Sequence, residues 1–250
     1  MLSHTLKQPK SWILAHTDYQ PGQGELEELN ELVEKFQSGV PLPYLLEYWE
    51  FFGRRFNVTH DVLIPRPETE LLVEMALQHA KKLDRPLLLD IGTGSGAIAV
   101  SLAAEIPLAH VIGTDISLEA LKIARENAKN LNQDRVLFLQ ADLLPPLSQA
   151  PDIICANLPY IPTQTLQTLD IYGKEPSLAL DGGADGLDMI QNFLQQAKNQ
   201  LAKQGMILLE IEAGQGVSAM AVSRSAFPRA DIQLHQDLQG RDRVIEIIQY

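Results

Sequence analysis

The chain has 250 residues, 45% of them hydrophobic and 21% charged, and a protein of that length and composition can bury a sizeable core. Its 32 acidic against 20 basic side chains leave a formal net charge of -12, which argues against broad nucleic-acid binding, because that needs a basic footprint. A single cysteine rules out an internal disulfide framework, and the six histidines lack metal-ligand spacing. Neither end reads as a signal peptide and no apolar run reaches bilayer length, so the expectation is a cytoplasmic protein with no metal and no membrane contact.

Residues 1–47 read as a small helical unit. Trp12, Ile13 and Leu14 mark a first helix, and Tyr19 to Gly24 is a Pro/Gly break. Leu26, Leu29, Leu32, Val33 and Phe36 recur at helical spacing through Glu25 to Phe36, opposite an acidic face of Glu25, Glu27, Glu28 and Glu31. Pro41 and Pro43 are expected to end helical structure. Residues 48–67 form a linker, in which Tyr48 to Val58 is β-prone and Asp61 to Ile64 is its expected hairpin partner. After Pro65-Arg66-Pro67 a helix begins, with Glu68 and Glu70 in its first turn, where the helix dipole favours carboxylates.

Within 68–250, strands and helices alternate from Pro86 onward, the pattern of a mostly parallel sheet covered on both faces. Strands are expected at Leu87–Ile91, His110–Thr114, Val136–Gln140, Asp152–Ala156, Met206–Glu212, Asp231–His235 and Arg243–Ile248. Helices are expected at Ser95–Ala104, from Ser117 as N-cap to Leu131, at Leu187–Leu201 and at Gln215–Ala226. The irregular stretch from Pro162 to Asp185 is long for a compact domain, and such loops are usually functional or disordered.

Two strand ends carry the chemistry. Asp90-Ile91-Gly92-Thr93-Gly94-Ser95-Gly96-Ala97 joins a strand to a helix, and Asp115 ends the next strand, where a carboxylate can take both hydroxyls of a ribose. The glycine pattern with Asp115 also passes for a dinucleotide fingerprint and would then signal a nicotinamide-dependent oxidoreductase. Asp90 tilts the choice, because a carboxylate before the turn suits a cation better than a pyrophosphate. S-adenosylmethionine, with an ammonium, a sulfonium and no phosphate, meets that condition. The second end is Asp152-Ile153-Ile154-Cys155-Ala156-Asn157-Leu158-Pro159-Tyr160, an apolar strand that must stop before Pro159. It delivers Asn157 and Tyr160 to the carboxyl edge of the sheet, where open α/β sheets hold ligands. The Asn157 side-chain oxygen and a freed backbone carbonyl can there accept both hydrogens of a planar NH2 group. Cys155 reads as a buried small hydrophobe.

With these residues in place the chain resembles the release-factor glutamine methyltransferases, which methylate the glutamine amide in the Gly-Gly-Gln loop of peptide chain release factors. The resemblance runs through Glu50-Phe51-Phe52-Gly53, Leu63-Ile64-Pro65-Arg66-Pro67-Glu68-Thr69-Glu70, the glycine loop, Asn157-Leu158-Pro159-Tyr160, Glu175-Pro176, Gly182-Gly183-Ala184-Asp185-Gly186-Leu187, Glu210 to Gly216 and Gly240-Arg241-Asp242-Arg243. It implies a Rossmann-like class I methyltransferase domain with a seven-stranded sheet, and a helical N-terminal domain that helps grip the release factor. It further implies that Asp90, Gly92, Thr93, Gly94, Ser95, Gly96, Asp115, Asp142, Leu143 and Asn157 hold S-adenosylmethionine. Asn157, Leu158, Pro159 and Tyr160 would hold the glutamine. Three departures stand out: Leu158 where the family usually has proline, Glu47 where it usually has glycine, and a shorter N-terminal domain. The alternative on the same Asn-x-Pro-Tyr geometry is an adenine-N6 or other amino-methyltransferase acting on nucleic acid. A cofactor-binding scaffold without activity is the non-enzymatic reading.

Overall fold

The structure, a computed structural model, describes residues 1–250. Its centre is a seven-stranded sheet built from β3 (Leu87–Ile91), β4 (His110–Asp115), β5 (Leu137–Gln140), β6 (Ile153–Ala156), β7 (Met206–Glu210), β8 (Asp231–Gln236) and β9 (Asp242–Ile248). The order is β5-β4-β3-β6-β7-β9-β8. All neighbours from β5 to β7 run parallel, and β9 is antiparallel to both β7 and β8.

The apolar strands lack polar alternation because both faces are covered. Leu88, Ile153, Cys155, Met206 and Leu208 point into one layer with Leu72, Leu102 and Leu121. Leu89, Ile91, Ile154, Ile207 and Leu209 point into the other with Phe193 and Ala219. This is the two-residue strand period carried through the three adjacent strands β3, β6 and β7. The first layer is covered by α5 (Glu70–Ala80), α6 (Ala97–Glu105) and α7 (Leu118–Asn130); the second by α9 (Asp188–Ala197) and α10 (Gly216–Ala226). Ser117 caps α7 as its residue type predicts, accepting from Ala120 N at 3.2 Å.

The N-terminal unit holds α1 (Leu2–Thr5), α2 (Lys10–Ala15), α3 (Gln23–Gln37) and α4 (Leu42–Leu46). Here one expectation is corrected. Pro41 and Pro43 do not merely end helical structure; they start α4, with Pro41 at its N-cap and Pro43 in its first turn. A helix start tolerates proline because its N–H would lack a partner there anyway. The α4 helix ends at Glu47 with φ 63, the left-handed region that favours glycine.

The hairpin is corrected too. It closes between β1 (Tyr48–Phe51) and β2 (Arg54–Asn57), in register Phe51↔Arg54. Phe52 and Gly53 turn it with φ 49 and 68, the positive pair that a two-residue hairpin turn requires. Asp61 to Ile64 is not a strand, because its backbone groups are taken by side chains. The Tyr44 hydroxyl donates to Val62 O at 2.7 Å and Ile64 N donates to Glu175 Oε2 at 3.1 Å. A buried Asn127 on α7 ties this hairpin to the glycine loop: it accepts from Asn57 N at 2.7 Å and donates to Ser95 O at 2.9 Å.

The long stretch from Pro162 is less irregular than its composition suggests. It contains α8 (Thr163–Leu166), a turn of 3-10 helix at Ser177–Ala179, and a parallel bridge from Ile161 to Asp181.

Candidate active site

Every loop leaving the carboxyl end of β3, β4 and β6 meets at one cavity of about 440 Å³. Gly92, Gly94, Asp115, Asp142, Leu143, Asn157, Leu158 and Pro159 all line it. A second cavity of about 200 Å³ adjoins it and shares Leu63, Asn157, Leu158 and Ala179. Its other walls include Arg66, Tyr160, Ile161, Leu169 and Leu180. Asn157 and Leu158 therefore stand at the wall between a larger chamber and a narrow, mostly apolar slot.

The glycine loop divides its labour. Asp90, Thr93 and Ser95 are buried beneath the turn, and neither they nor Gly96 line the cavity. Asp90 Oδ2 accepts from Thr93 Oγ1 at 2.6 Å and from Ala99 N at 3.1 Å, so this carboxyl staples the loop to the start of α6 from inside. Burial pushes the Asp90 carboxyl up to about 7, and its Oδ1 has no hydrogen-bond partner. Gly92 and Gly94 have φ of 70 and 53. A Cβ on Gly92 would lie 3.4 Å from Leu158 Cδ2, so the buried Leu158 side chain packs against the loop.

Asp115 bridges the loop and α7. Its Oδ2 accepts from Gly94 N and its Oδ1 from Ser117 N, both at 2.9 Å. A carboxylate offers about four lone-pair sites, so acceptor capacity remains toward the cavity. Burial raises its pKa from the ordinary carboxylate value. Leu143 adopts φ 66, and the Thr114 hydroxyl holds its carbonyl at 2.9 Å. That geometry presents Asp142 at the rim. Among the lining residues are the carboxylates Asp61, Asp115 and Asp142, with no lysine or arginine. A chamber of this charge fits a cationic sulfonium cofactor and opposes a pyrophosphate.

At the other strand end, Asn157 Nδ2 donates to Thr69 Oγ1 at 3.1 Å. No protein donor reaches Asn157 Oδ1 or the Leu158 carbonyl. Tyr160 does not hang free: its hydroxyl donates to Glu210 Oε1 at 3.3 Å, and its carbonyl accepts from Gln215 Nε2 at 2.8 Å. Arg66 pairs with the buried Glu175 at 2.6 Å. That pair straps the stretch after α8 to the linker that lines both cavities.

Sequence reasoning missed Val62, Leu63, Ile116, Ala141, Met189 and Thr69. The last has a recognisable signal, a hydroxyl at a helix start in the block before α5. Glu210 ends β7 as Asp115 ends β4, an edge position hidden in the sequence because the expected strand ran on to Glu212.

Comparison with known proteins agrees with this construction. A family model described as a methyltransferase domain matches residues 87–210. A release factor glutamine methyltransferase of Bacillus cereus is 37% identical, the match covering 98% of this chain and 89% of that one. One of Moorella thermoacetica is 43% identical over 85% of this chain and 76% of that one. Among solved structures, a ribosomal protein L11 methylase of Lactobacillus delbrueckii subsp. bulgaricus aligns with a TM-score of 0.57 at 18% identity, covering 82% of this chain and 91% of that one. The fold is that of the class I methyltransferases, which use S-adenosylmethionine. The chain belongs to the release factor glutamine methyltransferase family.

Proposed function

We propose that the chain transfers the methyl group of S-adenosylmethionine to the side-chain amide nitrogen of the glutamine in the Gly-Gly-Gln loop of a peptide chain release factor. The observation that carries this reading is the pair of unpaired acceptors, Asn157 Oδ1 and Leu158 O, at the wall between the two cavities. When bound, the cofactor supplies an electrophilic methyl group on a good leaving group. Asp115, the backbone of Gly92 and Gly94, Asp142 and Leu143, which line the larger chamber, would hold it there.

An amide nitrogen is a weak nucleophile because its lone pair is delocalised. The protein's part is position and electrostatics. Asn157 Oδ1 and Leu158 O each accept one N–H of the glutamine, aim the nitrogen at the chamber and favour the positive charge that develops on it. A glutamate has no such donors and meets two acceptor dipoles, which gives selectivity for the amide. Methylation forms N–CH3 as the S–CH3 bond breaks, and the nitrogen releases one of its two protons to solvent, so one acceptor loses its donor and the product is held by one hydrogen bond fewer. Pro159 stiffens the turn, and the Tyr160 ring, held by Glu210, forms a wall of the slot.

Residues 1–47 serve as the surface that meets the release factor, residues 48–67 as the linker and residues 68–250 as the catalytic domain. No helix is long and apolar enough to cross a membrane. The proposed setting is the cytoplasm, where release factors work. The nucleic-acid alternative is disfavoured by the net charge of -12.

Purified enzyme, labelled S-adenosylmethionine and a release factor test the reading. Asn157→Ala should lower transfer by about 100-fold or more, the scale for losing one preorganised polar group. Cofactor affinity by calorimetry should stay within about twofold. Equal loss of both would make Asn157 structural.

A further inference from the structure

We infer that Gln215 is a positioning residue, which ties the Asn157–Tyr160 turn to the glycine-rich stretch 182–186 and so holds the Leu158 carbonyl toward the substrate. The proposed chemistry needs that carbonyl to be both unpaired and stationary, and an unpaired group cannot hold itself in place. Before the turn, β6 is anchored by its ladders to β3 and β7. Within it, Pro159 fixes its own φ and biases Leu158 toward extended backbone. The peptide units that follow need a partner from elsewhere in the chain.

That partner is Gln215, a buried side chain on the turn of 3-10 helix Ala213–Gln215 that follows β7. Its Nε2 donates to Tyr160 O at 2.8 Å and to Gly186 O at 3.3 Å. Its Oε1 accepts from Glu212 N at 3.2 Å. No backbone N–H reaches the Tyr160 or Gly186 carbonyl, so Gln215 supplies the protein donors for both. A carbonyl only accepts and a backbone N–H only donates, which leaves the Gln215 amide one orientation. Turned over, it would set its oxygen against two carbonyls and its NH2 against an N–H, a costly arrangement in a buried place.

The glycines complete the clamp by letting backbone pack on backbone. A Cβ on Gly182 would lie 2.8 Å from both Pro159 O and Tyr160 Cα. One on Gly186, whose φ is 79, would strike Tyr160 O and lie 2.5 Å from Gln215 Nε2. The next residue is fixed as well: Ile161 N donates to Leu180 O at 3.0 Å, and Gly182 N donates to Ile161 O at 2.9 Å. Two successive residues just beyond Leu158 are thus held from outside the turn. Gln215 lines neither cavity, so it acts only through the residues it holds. The stretch 182–186 thereby gains a task, as the seat on which the substrate-binding turn rests.

The inference rests on the amide-methylation reading only for its kinetic arm. The clamp itself is read in the free wild-type enzyme, by nuclear magnetic resonance of the Gln215 side-chain NH2 after labelling with nitrogen-15. Both protons should exchange about 100-fold or more slowly than those of the exposed Gln239. Gln215→Glu keeps the shape and the acceptor for Glu212 N but removes both donors. With release factor as substrate at about pH 8.5, it should lower kcat by about 30-fold or more. KM and affinity for S-adenosylhomocysteine should change less than about threefold, since residue 215 lines neither cavity. At about pH 5.5 the carboxyl of Gln215→Glu gains a proton and returns one donor, so its kcat relative to wild type should recover about fivefold or more. Gln215→Met, which lacks all three hydrogen bonds and cannot titrate, should lose kcat alike and recover nothing at about pH 5.5. The inference is overturned if the Gln215 protons exchange as fast as those of Gln239, or if kcat is unchanged in both variants. It is overturned equally if the Gln215→Glu deficit is the same at both pH values, or if cofactor affinity falls in parallel with kcat. Absence of transfer by the wild type, with its Gln215 protons protected, would instead overturn the functional reading.

Discussion

The helical unit of residues 1–47 and the sheet domain obey the same periodic signals and end in different states. In the sheet domain each apolar residue of the central strands is buried, and layers form on both faces. In the helical unit only Thr5 and Pro43 are buried. The apolar stripe of α3 forms its helix as the spacing predicts, yet Leu26 is 44% and Phe36 49% exposed. Periodicity determines which face is apolar; burial needs a second element to cover that face. The sheet domain finds those elements within the chain. The helical unit covers its stripe only in part: Leu29, Leu32 and Val33 are half-buried, and Leu26 and Phe36 stay exposed.

That contrast can be broken by mutation, and the largest effect is expected in the sheet domain. Phe193→Ala, at a fully buried position, should lower unfolding free energy by about 3–5 kcal/mol, whereas Leu29→Ala on α3 should cost under about 1 kcal/mol. Urea titration of both variants checks the pair, and equal losses would mean that the helical unit has a real core. Next in size is docking. Leu26→Ser with Phe36→Ser should raise KM for the release factor about fivefold or more at unchanged kcat and melting temperature. An unchanged KM in a steady-state assay would remove this face from recognition.

A third effect depends on pH. Asp90 and Glu210 both have folded pKa values raised by burial to about 7, so the folded state binds protons that the unfolded state has already lost. Their contribution is complete below the unfolded carboxylate range and disappears as pH rises through about 7. The wild-type melting temperature should therefore fall more steeply than that of Glu210→Gln between about pH 5 and 8. Parallel curves would show that Glu210 does not titrate there. The smallest effect sits at the join of the two regions. Glu47→Gly should raise stability by up to about 1 kcal/mol, by relieving a left-handed backbone. Thermal melts would show it.

Much of this was legible in the sequence because strand ends are marked by chemistry. Asp90, Asp115 and Asn157 each close an apolar run, and the structure brings those three runs side by side. The mostly parallel, seven-stranded sheet was implied by alternation and by resemblance together, and strand limits fell within a residue or two. What escaped notice depends on contacts between distant segments. Asp61 to Ile64 has a strand-like composition, but Tyr44 and Glu175 take its backbone groups from 18 and 111 positions away. Pro41 and Pro43 carry the same local signal for stopping a helix as for starting one. Thr69 looks like an ordinary helix-start residue until Asn157 arrives from 88 positions further on. Asp90 was read from its place before the turn as facing a ligand, whereas its hydrogen bonds direct it at the loop.

The most direct measurement is a crystal structure of the enzyme with S-adenosylhomocysteine and a release factor, or a peptide carrying its glutamine loop. Our account requires the glutamine nitrogen to lie within about 3.2 Å of both Asn157 Oδ1 and Leu158 O, facing the sulfur through the shared wall. If those oxygens instead accept from the protein's own donors, or if the glutamine rests outside the apolar slot, the account is contradicted.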